Sequence, residues 1–197
     1  MKRKEGFNLI NEYKKSWKYL VESKKFIFSI IGIFFIFVLI GFLFPIPEFL
    51  YNEILEFIRE ILEKTENLSQ WELITFLISN NVQSSFLGIL FGFIYGVFPL
   101  IIAIANGYVL GFVSSLSVNS VGVASLWKIV PHGIFELPAI FISLGLGLKF
   151  GTFSFQKNKA KSFKNYLINS LRVFLLIVIP LLIIAGIIEG TLIFLGD

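Results

Sequence analysis

Residues 73–127 read LITFLISNNVQSSFLGILFGFIYGVFPLIIAIANGYVLGFVSSLSVNSVGVASLW, and none of these 55 side chains is charged. A transmembrane helix needs about 20 apolar residues to cross a hydrocarbon layer of ~30 Å. The stretch is therefore long enough for two membrane spans with residues to spare. The whole chain is 56% hydrophobic and 15% charged, with 24 Phe among 197 residues. A soluble domain of this length cannot bury so many apolar side chains, so the sequence predicts an integral membrane protein.

The other apolar segments bring the predicted number of spans to five. They lie at residues 26–44, 73–96, 99–118, 133–149 and 171–194, with a turn at Gly96-Val97-Phe98-Pro99 between the second and third spans. Residues 121–130 are too short to cross and are predicted to form a half-helix that dips into the membrane or lies at its surface. The predicted fold is an all-α polytopic membrane protein with one domain over residues 1–197.

The charged residues predict how the chain is oriented in the cell membrane. Residues 1–25 carry eight Lys or Arg against three Glu, whereas residues 45–72 carry seven Glu against Arg59 and Lys64. Six basic residues and no acid lie between Lys149 and Arg172. Because basic loops stay on the cytoplasmic side, we expect a cytoplasmic N-terminus, a cytoplasmic basic loop at 150–170 and an extracytoplasmic C-terminus.

Two segments outside the spans have amphipathic patterns. Residues 1–25 alternate apolar residues and lysines at roughly helical spacing, which indicates an interfacial helix on anionic lipid; a solvated basic tail is the alternative. Residues 45–70 are predicted to form an extracytoplasmic amphipathic helix. Its apolar face is expected to rest on lipid, on the protein's own helices or on a second copy, and a merely solvated acidic segment is the alternative. The apolar positions of this helix are Leu50, Ile54, Phe57, Ile58, Ile61 and Leu62.

Glycines recur at intervals of four residues in several of the predicted spans. Small residues at this spacing allow two helix backbones to approach closely, so we expect these glycines to serve packing. The sets are Gly88, Gly92 and Gly96, then Gly107 and Gly111, then Gly147 and Gly151.

The composition excludes several kinds of site. The chain has no Cys and one His, so it has no disulfide, iron–sulfur cluster, cysteine nucleophile or multi-histidine metal site. Neither a phosphate-binding loop, nor a serine-nucleophile motif, nor a nucleic-acid module is present. We therefore expect no cofactor, no catalytic residues and no nucleic-acid partner, and the residue set favours a non-enzymatic protein without deciding the matter.

Polar residues inside the spans are the strongest functional candidates, because ionisable groups in lipid are costly. His132 and Glu136 are four residues apart and therefore share one helix face. The predicted topology places them at a depth similar to that of Glu189, so we expect these side chains to lie within mutual reach in the outer part of the membrane. The full predicted cluster consists of Asn80, Asn81, His132, Glu136 and Glu189.

This cluster has three interpretations. It is a buried hydrogen-bonded group that locks the helices together, a path for an ion or a proton, or a metal or catalytic site in which Glu189 supplies a third ligand. Whether a metal binds is open from the sequence.

The segment Pro131-His132-Gly133-Ile134-Phe135-Glu136-Leu137-Pro138 resembles the signature of the stage II sporulation protein M family. Further similarities are Asn80-Asn81, Asn106-Gly107, Gly111, Gly145-x-Gly147 and Glu189-Gly190. The resemblance implies a polytopic membrane protein; in spore-forming bacteria the namesake works in a complex with cell-wall hydrolases. It carries over the motif residues Asn81, His132, Gly133, Glu136, Pro138 and Glu189 without assigning a catalytic role to any of them.

Three functions follow as hypotheses. The first is a non-enzymatic membrane scaffold or complex subunit with membrane-protein partners. The second is an ion or small-solute channel or transporter that uses the polar cluster, and the third is an intramembrane metal-dependent hydrolase. We also expect a homo-oligomer, preferably a dimer, because five short spans leave apolar and glycine-bearing faces available to a second copy.

Overall fold

The computed structural model describes residues 8–44, 46–128 and 130–196, and it describes only the backbone of residues 49, 127, 128, 130–133, 135 and 196. Eight α-helices are found in these ranges. They are α1 (Leu9–Glu22), α2 (Lys24–Leu43), α3 (Glu48–Thr65), α4 (Gln70–Leu90), α5 (Val97–Val121), α6 (Val130–Gly151), α7 (Lys159–Val173) and α8 (Ile179–Gly196).

Five helical segments are long and apolar enough to cross a bilayer, which confirms the predicted all-α polytopic fold. They are Lys24–Leu43, Gln70–Phe93, Val97–Val121, Glu136–Phe155 and Lys159–Leu195. Helices α1 and α3 lie outside these spans. The two ends of the bundle are called the α1 end and the α3 end.

The basic segment at 150–170 is not a loop over most of its length. After a short 3-10 helix at Thr152–Phe155, α7 begins at Lys159, and the Asn158 side chain caps it by accepting the backbone N–H of Lys161. No Gly or Pro interrupts residues 159–179, so the charged stretch continues through a π-helical turn at Phe174–Val178 into α8. The prediction of a loop gave too much weight to charge and too little to helix propensity.

The predicted half-helix at 121–130 also takes a different form. Helix α5 ends where Gly122 adopts φ +100°, a conformation that glycine reaches without steric cost. A 3-10 helix follows at Val123–Lys128, and α6 begins at Val130, before the predicted start of the fourth span. The described part of this connection is therefore a short 3-10 helix.

Glycines bring the helix backbones into contact, which confirms their predicted packing role. A Cβ atom on Gly107 or Gly111 would overlap the carbonyl oxygen of Phe34 or Val38, so α5 lies directly against α2. A Cβ atom on Gly92 would overlap the Gly147 carbonyl oxygen in the same way, between the end of α4 and α6.

The glycine contacts also fix the register of the helices around the candidate site. Gly88 faces Leu144 and Gly92 faces Gly147, so α4 and α6 run in the same direction with an offset of about 55 residues. Helix α8 runs in the opposite direction, because Gly186 faces Ile78 whereas Gly190 faces Ile74.

Candidate functional site

Glu136 and Glu189 are buried inside the helix bundle, with 5% and 8% of their surfaces exposed. Glu136 lies on the α6 face that carries Ala139 and Ser143, which are fully buried. Glu189 lies on the α8 face that carries Ala185, against α4. Each carboxylate has an interaction partner within the protein, as the cost of a carboxylate at membrane depth requires. The structure thus places two acidic side chains in the interior of the spans.

The helix register sets the relative depths of the predicted site residues. With the offset between α4 and α6, Glu136 lies level with Asn81, which is half-buried on α4. Glu189 lies level with about residue 75, roughly six positions or ~9 Å nearer the α3 end. The cluster is therefore spread along the bundle axis, with Asn81 and Glu136 at one level and Glu189 at another.

Asn80 and His132 differ from the interior carboxylates. Asn80 is exposed on α4, and its predicted place beside Glu136 and Glu189 stays a prediction. The backbone of residue 132 lies one turn before Glu136 in α6, but its side chain is outside the described residues. The predicted contact of His132 with Glu136 and Glu189 stays a prediction.

The remaining motif residues lie in the first half of α6. Pro131 and Gly133 belong to its first turn, where their side chains are outside the described residues. Pro138 lies inside the helix and is exposed. Because proline has no N–H, it cannot donate to the carbonyl oxygen of Ile134, one turn before it and close to Glu136.

The described side chains do not assemble a cluster of metal-binding residues at the carboxylates. Among them, no three His, Cys, Asp or Glu residues come together in a way that could hold a metal ion. Two surface grooves, of about 640 Å³ and 500 Å³, are lined by residues 64–79 and by residues of α3. Neither groove is lined by Glu136 or Glu189.

A buried cation lies at the α1 end, where sequence analysis assigned Lys149 only to the end of a span. Lys149 is 7% exposed, and its Nζ donates a hydrogen bond to Ser23 Oγ at 3.1 Å. The same Nζ lies 3.8 Å from the centre of the Tyr19 ring, within cation–π range. Lys149 thereby fastens the junction of α1 and α2 to α6. No local pattern points to this contact, since its partners are 126 residues apart.

Helix α1 is held a second time, by α7. Arg172 Nε lies 2.5 Å from Glu12 Oε2, and its Nη1 donates a hydrogen bond to Asn169 Oδ1 on its own helix. Lys15 Nζ contacts the same Glu12 carboxylate at 2.6 Å. The hydrogen bond from Lys15, together with Arg172, holds the pKa of Glu12 below its ordinary value although partial burial opposes this. Arg172, assigned from sequence to topology alone, is thus a structural contact of α1.

Comparison with known proteins identifies the relatives of this bundle. The sequence profile of one protein family, described as SpoIIM, Stage II sporulation protein M, matches residues 30–192. The chain belongs to this family. The match runs from α2 into α8 and includes both interior carboxylates of this SpoIIM protein as well as the segment at 131–138.

One relative is similar over most of its length. An uncharacterized protein of Methanocaldococcus jannaschii is 29% identical over 182 residues, which cover 89% of this chain and 80% of the relative. No solved structure matches the SpoIIM chain. Family membership is therefore shown, whereas neither comparison names a molecular activity.

Proposed function

We propose that this SpoIIM protein is a non-enzymatic membrane scaffold or complex subunit that presents α3 to a partner protein outside the cytoplasm. The observation that carries the proposal is an uncovered apolar surface on α3. Phe57, Ile61 and Leu62 are 54%, 37% and 59% exposed. Their helix lies outside the five spans.

The first half of α3 contacts the bundle through its side chains. The Tyr51 and Phe112 rings pack edge to face with centres 5.6 Å apart, and Ile54 is 6% exposed. Farther along the helix, Phe57, Ile61 and Leu62 are exposed, while Leu55 and Ile58 are half-buried. The first half of α3 thus packs on the bundle, and its second half leaves apolar side chains available to a partner protein.

The charge around this surface favours a protein over a lipid surface. Helix α3 carries five Glu against Arg59 and Lys64, and Lys64 is paired with Glu60 at 2.6 Å. Helices that lie on membranes usually carry Lys and Arg on their polar face, because lipid surfaces are anionic. An acidic rim around apolar residues fits a partner whose own surface has an apolar centre and a basic rim.

Site-specific crosslinking tests this proposal. The chain has no Cys, so Ile61→Cys introduces a single thiol that can carry a photoreactive maleimide in native membranes. The matched control is Asn52→Cys, an exposed position elsewhere on α3. We expect an adduct with a different protein at position 61, with a yield that falls as salt is raised and when Phe57 and Leu62 are replaced by Ala. Adducts with lipid alone, or equal adducts at both positions, contradict the proposal.

The proposal includes an orientation, with the N-terminus cytoplasmic and the C-terminus extracytoplasmic. The distribution of charge supports it: the basic residues of α1 and of 149–172 lie at one end of the bundle, and the acidic α3 lies at the other. In this orientation α3 is available to partners in the cell envelope.

A second candidate function is passage of a proton or cation. Its support is the pair of buried carboxylates, Glu136 and Glu189, on neighbouring helices inside the spans. The test is a flux assay with the purified protein in liposomes, first with a proton gradient and then with monovalent cations. This function requires that the flux exceed that of protein-free liposomes and that Glu136→Gln and Glu189→Gln reduce it. If no flux is found, this second function is contradicted and the scaffold is the remaining candidate.

A further inference from the structure

Helix α4 turns a polar face away from the bundle at membrane depth. Within the span Gln70–Phe93, five polar residues without charge are exposed. They are Thr75, Ser79, Asn80, Gln83 and Ser84, and they are called here the polar face of α4.

The opposite side of α4 is apolar and packed. Ile74 and Ile89 are 3% and 0% exposed, and Gly88 packs against Leu144 of α6. The helix is therefore amphipathic in the sense expected of a helix in water, with its polar side outward. Other spans show the pattern expected in lipid: the exposed residues of α2 include Phe35 and Leu39, and those of α8 include Ile184.

Lipid cannot satisfy the hydrogen-bonding groups on this face. The Thr75 hydroxyl donates to the carbonyl oxygen of Trp71 at 2.8 Å and is satisfied within its own helix. The amides of Asn80 and Gln83 have no hydrogen-bond partner among the described residues. Each amide has two N–H donors and an acceptor oxygen, and leaving these groups in hydrocarbon without partners is strongly unfavourable. The face therefore requires a polar surface against it.

We propose that the polar face of α4 is the contact surface between two copies of this chain. Two copies inserted in the same direction are related by a two-fold axis along the membrane normal, so their α4 helices run parallel. Each residue then meets its own counterpart at the same depth. Asn80 and Gln83 are suited to this arrangement because an amide both donates and accepts, whereas two identical charged groups would repel each other.

The neighbouring groove extends the proposed contact toward α3. Trp71 is 73% exposed and lines the groove of about 640 Å³ together with Lys64, Thr75 and Ser79. A second copy against the polar face covers this ring as well. Tryptophan is among the residues most enriched at the energetic centres of interfaces.

Disulfide crosslinking in membranes tests the geometry directly. Single-Cys variants Ser79→Cys and Gln83→Cys lie one turn apart on the polar face, and Leu39→Cys and Ile184→Cys are exposed controls on other spans. With a mild oxidant we expect covalent dimers at positions 79 and 83 and much lower yields at 39 and 184. Equal yields at all four positions, or adducts only with a different protein, overturn the proposal.

A second measurement uses the native cysteine-free chain. Replacing both Asn80 and Gln83 with Leu removes the amides but keeps a membrane-compatible surface, and Ile184→Leu is the control. In nanodiscs or dilute detergent, mass measurement is expected to show a dimer that dissociates about threefold or more readily in the double variant. A monomeric unmodified chain, or an unchanged dimer in the variant, overturns the proposal. Phe57→Ala alters the α3 surface and is expected to leave the dimer intact. The dimer and the partner-binding surface on α3 can therefore be tested independently of each other.

Discussion

At the scale of single residues, Ser23 offers a test of the buried cation. Its hydroxyl accepts the hydrogen bond from Lys149 and donates to the carbonyl oxygen of Tyr19 at 2.6 Å. Ser23→Ala removes the acceptor and leaves the ammonium group short of a partner, which is expected to destabilise the protein by about 1–3 kcal/mol. Thermal unfolding in one detergent measures the effect.

Ser29 is the matched control for this substitution. Its hydroxyl donates to the carbonyl oxygen of Lys25, four residues earlier, and Ser29 is exposed. Ser29→Ala therefore removes the same helical hydrogen bond without touching Lys149, and little change is expected. Equal losses of stability in Ser23→Ala and Ser29→Ala would show that the hydrogen bond between Lys149 and Ser23 does not stabilise the protein.

Glu136 provides a second residue-scale prediction, since it is buried and has an interaction partner. Glu136→Gln keeps an acceptor oxygen and a similar shape, whereas Glu136→Leu leaves the partner without a polar contact. We expect the Leu variant to be less stable than the Gln variant by about 1–3 kcal/mol. The yields and melting temperatures of the two variants measure this difference. Identical values would show that the polar contact of Glu136 does not stabilise the fold.

At the scale of helices, the glycine contacts between α2 and α5 set the packing distance. The added Cβ of Gly107→Ala meets the backbone of Phe34, which cannot move aside as a side chain would. We expect a loss of about 1–3 kcal/mol from overpacking. Gly32→Ala, on α2, meets nothing within 4 Å and is expected to be neutral or slightly stabilising. A comparison of their unfolding temperatures is the measurement, and a Gly107→Ala protein as stable as Gly32→Ala contradicts the close contact.

Helices differ in how far sequence could predict them. The spans and the glycine contacts follow from local patterns, because hydropathy and four-residue spacing are properties of neighbouring positions. The helix at Lys159–Val173 was missed because its lysines suggested a loop, although no Gly or Pro interrupts it. The contacts of Lys149 with Ser23 and of Arg172 with Glu12 join positions 126 and 160 residues apart, and no local signal encodes such pairs. The outward side of α4 was missed because Asn80 was counted with the interior cluster.

At the scale of the whole molecule, the proposed orientation can be measured by labelling. Asn52→Cys lies on α3 and Lys157→Cys lies before α7, both at exposed positions toward opposite ends of the bundle. In intact cells a membrane-impermeant maleimide is expected to label position 52, and position 157 only after permeabilisation. The reverse pattern would invert the topology and place α3 in the cytoplasm.

The helical segment from Lys159 to Leu195 contacts other helices at two different depths. Its 37 residues form a rod of about 55 Å, nearly twice the thickness of the hydrocarbon layer. Arg172 joins this segment to α1 about a third of the way along it, and Gly186 and Gly190 pack against α4 nearer its other end. One helical segment therefore connects the contact with α1 to the level of Glu189 near the α3 end. The π-helical turn at Phe174–Val178 and Pro180 just after it depart from regular α-helical hydrogen bonding, so we expect any bend of this segment to lie there.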